Sequence, residues 1–303
     1  MRKTILIFGA SSFLGSNLLE SLKKHYRVIG TYKDTPIDYP GILFYRCDGL
    51  KKDRVTHLIG LTKPDVTIYA SGLSSITACH SNPKLSDALN SAALINVCSA
   101  AERYGSKFIF VSSSFVLGGE NTEYFESDTP FPVTVYGASL ASSEFYVQKS
   151  CLNYIIFRTA PFFGRSYHPK RRNWLESVER NVLKGVVANV DDQIEHGHID
   201  PQFLAHIIHL AIEKNVTNRL FQISSQDLMS RYEFAKKYIK AIGLDENLVT
   251  RAQWNLPLDE SSSRGRGRDF IHYKMSVKNA EEFFQLKMPT IQELINSKKK
   301  LAS

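Results

Sequence analysis

The sequence lacks several features that would mark it as a membrane, secreted or metal-binding protein. No apolar run is long enough to span a membrane, and the start of the chain lacks the apolar segment of a signal peptide. The four cysteines, at positions 47, 79, 98 and 151, match no disulfide or metal-binding pattern, and the histidines lack ligand spacing. We therefore expect a cytoplasmic protein with reduced cysteines, no metal site and no membrane association.

Acidic residues are fewer than basic ones. The 303 residues include 38 Lys and Arg against 30 Asp and Glu, which gives a formal net charge of +8. Such a charge favours anionic partners, and nucleic acid, a membrane surface and a phosphorylated small molecule all fit it. The terminal run Lys298–Lys300 is typical of a solvated tail. With 43% hydrophobic residues, the chain is long enough for one or two domains with a large core.

The opening stretch has the pattern of a strand that turns directly into a helix. The apolar run 5–8 is typical of a strand buried on both faces of a parallel sheet, and the following leucines have helical spacing. Gly9 would make the tight turn, and Gly15 would let helix and strand pack closely. Ser12 stands where a dinucleotide fingerprint has its middle glycine. This corner predicts a phosphate site at a helix N-terminus, or else an ordinary strand-to-helix turn.

The remainder of the chain alternates strands with helices. Strands are predicted at 27–31, 43–45, 64–72, 107–111, 154–158 and 220–224, and long helices at 83–104 and 136–149. This rhythm predicts an α/β fold, a Rossmann-like doubly wound parallel sheet with a smaller C-terminal α/β substrate domain. The dinucleotide-binding domain would span 1–165 with a returning segment at about 195–225. The smaller domain would take 166–194 and 226–303.

Ligands bind at the carboxyl ends of the strands in such a sheet, so the residues there are candidates. Lys33, after the second strand, favours the 2′-phosphate of NADP. The small residues 70–72 suit a flat cofactor, and the hydroxyls of 112–114 suit site chemistry, or else turns and caps.

Further along the chain, the basic stretch 169–184 is predicted to be helical, and the sequence 230–233 to be a capping box that opens another helix. Arg264, Arg266 and Arg268 stand among glycines. They would suit phosphate binding by a loop, and a solvated loop is the alternative.

Several motifs in order resemble one family, the extended short-chain dehydrogenase/reductases, and in particular the dTDP-4-dehydrorhamnose reductase type. The resemblance spans nearly the whole chain. It is carried by Phe8-Gly-Ala-Ser-Ser-Phe-Leu-Gly15, Pro64-Asp-Val-Thr-Ile-Tyr-Ala70, Asn90, Phe108-Ile-Phe-Val-Ser-Ser-Ser114, Tyr136-Gly137, Arg158-Thr159 and Ser230-Arg-Tyr-Glu-Phe-Ala235.

The resemblance implies hydride transfer between a nicotinamide cofactor and a keto carbon of a nucleotide-linked sugar. Tyr136 would be the acid/base and Ser113 the hydroxyl that bonds the carbonyl. Ser114 stands where the rhamnose subgroup has an aspartate, and with Arg264 and Arg266 it would bind substrate. The family's lysine, four residues after the tyrosine, is Leu140 here. The implied cofactor-binding residues are Gly9, Ser11, Ser12, Phe13, Leu14, Gly15, Lys33, Asp48, Ala70, Ser71, Gly72 and Tyr136.

Two functions remain open at this point. The first is an NADP(H)-dependent reductase, with NAD(H) as the alternative cofactor, acting on a nucleotide-activated 4-keto-6-deoxy sugar in polysaccharide precursor synthesis. The second is a non-catalytic dinucleotide- or sugar-nucleotide-binding protein that regulates a partner, similar in kind to the regulatory beta subunit of methionine adenosyltransferase. Leu140 and Ser12 motivate the second. In both cases the expected partner is a nucleotide-sugar small molecule rather than nucleic acid, with a homodimer as a candidate assembly.

Overall fold

The computed structural model describes residues 2–120, 122–168, 170–252 and 271–302. Its first half contains β1 (Thr4–Phe8), α1 (Phe13–Leu22), β2 (Arg27–Tyr32), β3 (Leu43–Arg46), α2 (Lys52–Thr62), β4 (Val66–Tyr69), α3 (Ile76–Ser81), α4 (Pro83–Asp87), α5 (Ala93–Arg103), β5 (Lys107–Ser113), β6 (Glu123–Tyr124), α6 (Val135–Ser150) and β7 (Tyr154–Thr159). Strands and helices alternate over this half as the apolar patterns predict.

The second half is less regular. It contains α7 (Trp174–Leu183), β8 (Ala188–Asp191), β9 (Ile194–His196), α8 (Pro201–Glu213), β10 (Arg219–Ile223), β11 (Met229–Ser230), α9 (Arg231–Ala241), β12 (Val249–Ala252), β13 (Ile271–Met275), α10 (Lys278–Phe284) and α11 (Ile291–Ala302). No helix of the described residues is both long and apolar enough to cross a membrane.

A parallel seven-stranded sheet in the order β10-β7-β5-β4-β1-β2-β3 forms the centre of the large unit. One core cluster draws on α2, α5 and α6, and a second draws on α1, α8 and α10, so helices cover both faces. The predicted α/β, Rossmann-like fold is therefore confirmed. The apolar runs in β1 and β4 are buried because both of their faces meet helices.

A third core cluster marks a smaller unit built from α7, α9, α11 and the parallel pair β8 and β12. A four-stranded sheet in the order β11-β9-β13-β6 adjoins it. Within the predicted 226–303 segment, α10 packs on β10 and α8 instead, so this helix lies with the large sheet.

Two local predictions differ from the structure. The predicted helix 83–104 is interrupted at Ala88–Ala92 by a π-helical turn, which carries the buried Asn90. Asn90 accepts a hydrogen bond from the Leu73 amide at 2.7 Å and donates one to the Ser139 hydroxyl at 2.9 Å. The expected solvated tail is also wrong at Lys298, which is 7% exposed and pairs with Asp200 at 2.5 Å.

One buried ion pair joins α6 to the strands beside it. Glu144 and Arg158 have side chains only 1% and 2% exposed, and Arg158 Nη2 donates to Glu144 Oε2 at 2.8 Å. The Ser112 hydroxyl donates to the other carboxylate oxygen at 2.6 Å. Because both charges are out of water, each depends on the other for compensation.

We predict that Glu144→Gln lowers the free energy of unfolding by about 3–5 kcal/mol, because it leaves Arg158 buried without an opposing charge. Urea denaturation measures the change. Glu282→Gln, at an exposed position of α10, is the matched control and should stay within about 0.5 kcal/mol of the unaltered protein. Equal losses in the two variants would show that the buried pair carries no special weight.

Candidate functional site

Two adjoining cavities lie at the carboxyl ends of the parallel strands. The larger cavity, about 500 Å³, is lined by residues that include Ser113 and Tyr136. The smaller cavity, about 440 Å³, is lined by residues that include Lys33 and Asp48. The two share Ser12, Phe13, Ser71, Gly72, Ser74 and Arg172. This is the edge of the sheet at which an open α/β fold binds its ligands.

The turn between β1 and α1 forms the wall common to both cavities. Gly9 has φ of +86°, and an added Cβ would lie 2.7 Å from the Ala70 carbonyl oxygen. A Cβ on Gly15 would lie 2.1 Å from the Gly9 carbonyl oxygen. The predicted roles of these glycines in turning and close packing are thus confirmed.

Ser12 begins the helix as its N-cap. Its hydroxyl accepts a hydrogen bond from the Gly15 amide at 2.9 Å and donates one to the Ala70 carbonyl at 3.1 Å. The amides of Phe13 and Leu14, in the first turn, have no intrahelical carbonyl to bond. Both residues line the larger cavity, and the helix dipole adds positive potential there, so the corner suits an anion.

The smaller cavity collects most of the residues predicted to bind a cofactor. Lys33 Nζ lies 3.3 Å from Asp48 Oδ2, with the two side chains 47% and 25% exposed. Arg171, from the segment before α7, donates from Nη2 to the Thr35 hydroxyl at 3.0 Å and lines the same cavity. The predicted residues on its wall are Gly9, Ser11, Ser12, Phe13, Lys33, Asp48, Ser71 and Gly72. Gly15 packs against the backbone of Gly9 and Ala10 in the same turn. Leu14 and Ala70 line the larger cavity.

The larger cavity holds the two predicted catalytic hydroxyls. Ser113 ends β5, and Tyr136 lies in the first turn of α6, which Thr134 caps through the Gly137 amide at 3.0 Å. A Cβ on Gly137 would lie 1.9 Å from the Phe115 carbonyl oxygen, so only glycine allows this approach of α6 to the end of β5.

Burial raises the pKa of Tyr136 to about 12, while a hydrogen bond with the Ser113 hydroxyl acts in the opposite direction. The phenol therefore keeps its proton at neutral pH. Leu140, one helical turn further along, lines the same cavity and is 7% exposed. An apolar side chain thus stands where the family resemblance implies a lysine.

The structure does not bring every predicted substrate residue to the cavities. Ser114 is fully buried at the start of a 3₁₀ turn, its hydroxyl has no hydrogen-bond partner, and it lines neither cavity. It lies outside because the chain leaves β5 after Ser113 and enters the 3₁₀ turn at Ser114. Arg264 and Arg266 lie outside the described residues.

The larger cavity also has lining residues that the sequence did not indicate. Trp174 and Arg231 belong to the smaller unit, and Arg172 comes from the segment that precedes it. The basic composition of 169–184 was a signal for Arg172. No local sequence pattern distinguishes Arg231 from the arginines on the exposed faces of other helices.

A comparison with protein families decides the relationship of the chain. The family model described as RmlD substrate binding domain matches residues 1–298. The chain belongs to this family. The match includes both halves of the structure, so the large sheet and the smaller unit are both family features.

Individual relatives are distant but extensive. The chain is 26% identical over 259 residues to a dTDP-4-dehydrorhamnose reductase of Aggregatibacter actinomycetemcomitans, covering 84% of this chain and 82% of the relative. It is 23% identical to methionine adenosyltransferase 2 subunit beta of Rattus norvegicus, covering 80% and 73%. The crystal structure of a Bacillus anthracis dTDP-4-dehydrorhamnose reductase in complex with NADP superposes with a TM-score of 0.81 at 20% identity, covering 98% and 97% of the two chains.

We predict that Gly15→Ala destabilises the protein by about 1–3 kcal/mol or more, because the new methyl group meets backbone atoms that must move. Equilibrium unfolding in urea gives the value. Gly118→Ala is the control, since its added Cβ meets its nearest neighbour, the Phe131 carbonyl oxygen, at 3.4 Å. A Gly15→Ala protein as stable as the control would mean that helix and strand separate at little cost.

Proposed function

We propose that the protein is an NADP(H)-dependent reductase of a nucleotide-activated 4-keto-6-deoxy sugar, of the dTDP-4-dehydrorhamnose reductase type, in polysaccharide precursor synthesis. The observation that carries the proposal is the pairing of Ser113 and Tyr136 in one cavity. That cavity adjoins the anion-binding corner of α1. A serine and a tyrosine so placed have the chemistry to polarise and protonate a carbonyl oxygen.

The residues of the smaller cavity fit a nicotinamide dinucleotide. The α1 corner would take the pyrophosphate through the Phe13 and Leu14 amides, and Asp48 would bond the adenine. Lys33 and Arg171 supply two cations beside the turn that follows β2, where the 2′-phosphate of NADP would lie. These cations favour NADP(H) over NAD(H).

The direction of proton transfer follows from the state of Tyr136. When bound, the reduced nicotinamide supplies the hydride. The Ser113 hydroxyl donates a hydrogen bond to the carbonyl oxygen, and Tyr136 gives that oxygen a proton as its negative charge develops. A tyrosine with a pKa of about 12 is protonated at neutral pH, so it has a proton to donate and holds almost no tyrosinate that could accept one. The site therefore suits reduction of a ketone better than oxidation of an alcohol.

With Leu140 at this position, we expect proton transfer to be slower than it would be with a lysine there. A cation about 5 Å from the phenol at an effective dielectric of about 20 would favour the phenolate by about 3 kcal/mol. Leu140 provides no such charge, so no cation at this position stabilises the tyrosinate left after proton donation. Slow turnover is the expected consequence.

A second candidate is a non-catalytic binding protein that regulates a partner. The specific observation in its favour is the apolar Leu140 beside Tyr136, and the relationship to methionine adenosyltransferase 2 subunit beta supports it. Binding of dinucleotide or sugar nucleotide would persist in this case, because the residues of the α1 corner do not depend on Leu140.

We predict that the protein oxidises NADPH in the presence of one member of a panel of dTDP-, GDP- and UDP-4-keto-6-deoxy sugars. Tyr136→Phe should lower the rate at least about 10²-fold because it removes the proton donor. Ser113→Ala should lower it about 10²–10³-fold. The loss of reduced-nicotinamide absorbance over hours gives the rates.

Tyr104→Phe, at an exposed position outside both cavities, is the control for these variants. An unchanged rate in Tyr136→Phe would exclude the proposed mechanism. Leu140→Lys should raise the rate of a genuine reductase. If neither the unaltered protein nor Leu140→Lys oxidises NADPH with any sugar, while a protein partner binds stably, the regulatory function is the better account.

We also predict that Lys33→Ala weakens NADPH binding about tenfold and leaves NADH binding unchanged, because one charge-assisted hydrogen bond to the 2′-phosphate is lost. Calorimetric titration with each nucleotide measures the two affinities. Lys24→Ala, at an exposed position of the turn after α1, is the matched control. Equal weakening of NADPH and NADH binding would show that Lys33 does not discriminate between the two nucleotides.

A further inference from the structure

Among the described residues, those that line the larger cavity include two cations and no carboxylate. Arg172 and Arg231 are its charged lining residues, and the others are apolar, hydroxyl or amide side chains. Arg172 also lines the smaller cavity, whereas Arg231 lines only the larger one. A ligand that fills the larger cavity therefore meets positive charge that no cavity residue balances.

Arg231 is poorly compensated by the protein itself. Within the described residues, no carboxylate forms an ion pair with it, and its buried Nε has no hydrogen-bond partner. Burial lowers the pKa of the guanidinium, and the negative charge of Asp191 acts only in part against this. A partly buried cation in this condition favours an incoming anion, because the anion supplies the missing charge and hydrogen-bond acceptors.

The two histidines beside Arg231 add no negative charge to that of Asp191. His196 and His198 are buried beside it, and burial together with the field of Arg231 lowers the pKa of His196 to about 3 and that of His198 well below its usual range. Both imidazoles are therefore neutral. The local environment consists of one cation, two neutral rings, the apolar face of Phe234 and Asp191, whose charge compensates the cation only in part.

The position of Arg231 is set before any ligand arrives. Its guanidinium carbon lies 5.4 Å from the centre of the Trp174 ring, and the Trp174 indole donates to the Phe162 carbonyl at 3.2 Å. Ser230 caps α9 through the Glu233 amide at 3.2 Å, which fixes the helix start that carries Arg231. A held guanidinium loses little freedom on binding.

We propose that Arg231 binds the diphosphate of the nucleotide-sugar substrate, with Arg172 as the second cation. The assignment rests on the proposed function and names the residue that selects an anionic substrate. The substrate diphosphate is favoured over the cofactor pyrophosphate because Arg231 belongs to the smaller unit and lines the cavity of Ser113 and Tyr136, whereas the pyrophosphate corner belongs to α1. Arg231 does not line the cavity of Lys33 and Asp48.

Calorimetric titration with dTDP, in the presence of NADPH, tests the assignment. Arg231→Gln should weaken dTDP binding tenfold or more, while the affinity for NADPH changes less than twofold. Arg231→Lys should give an intermediate loss, since it keeps the charge without the planar fork. Arg180→Gln, at an exposed position of α7 outside both cavities, is the matched control and should bind dTDP normally.

The thermal midpoint separates a binding role from a structural one. Removal of a partly buried charge that has no ion-pair partner among the described residues should leave the midpoint of Arg231→Gln unchanged or raised in the absence of ligand. A lowered midpoint with normal dTDP affinity would overturn the assignment. Equal loss of dTDP and NADPH affinity would assign Arg231 to the cofactor and would also overturn it. If the unaltered protein binds none of dTDP, UDP and GDP, the proposed function fails together with the assignment.

Discussion

The arrangement of the site depends on the buried ion pair between Glu144 and Arg158. It links the middle of α6 to the ends of β5 and β7, and Ser112 completes the set by donating to the same carboxylate. Ser113 is the next residue after Ser112, so its hydroxyl is placed by a strand end that the pair holds. Tyr136 lies two turns before Glu144 on the same helix. The two hydroxyls of the cavity therefore share one buried anchor, which acts together with the close approach of Gly137 to Phe115.

The sequence predicts the parts of this structure in which local pattern and tertiary environment agree. The apolar runs of β1 and β4 are buried on both faces, and the Gly9 and Gly15 spacing reports contacts between residues close in the chain. The packing of α10 against the large sheet and the burial of Lys298 cannot be predicted from the local sequence. Both depend on contacts between segments far apart in the chain, and the apolar periodicity of one segment carries no information about such contacts.

The site shows the same division. The resemblance places Ser113 and Tyr136 correctly on one cavity, because strand ends and helix starts have recognisable patterns. Ser114 follows Ser113 directly and is buried in the core, because the chain leaves β5 there and enters a 3₁₀ turn. The local sequence around Arg231 is that of an ordinary helix start. The position and electrostatic surroundings of its guanidinium come from Trp174, His196 and His198, which lie in other segments of the chain.

The charges of the cleft explain why binding and proton transfer are separable in this protein. Cations stand at the turn after β2 and on the wall from the smaller unit, where phosphates would bind, and Leu140 leaves the surroundings of Tyr136 apolar. The proposed binding of anionic ligands would draw on Lys33, Arg171, Arg172 and Arg231, and none of these charges offsets the burial that raises the pKa of Tyr136. A reductase and a regulatory binding protein would thus use the same cations. They differ in whether the protonated Tyr136 beside Ser113 meets a carbonyl oxygen, which is a property of the ligand as much as of the cleft.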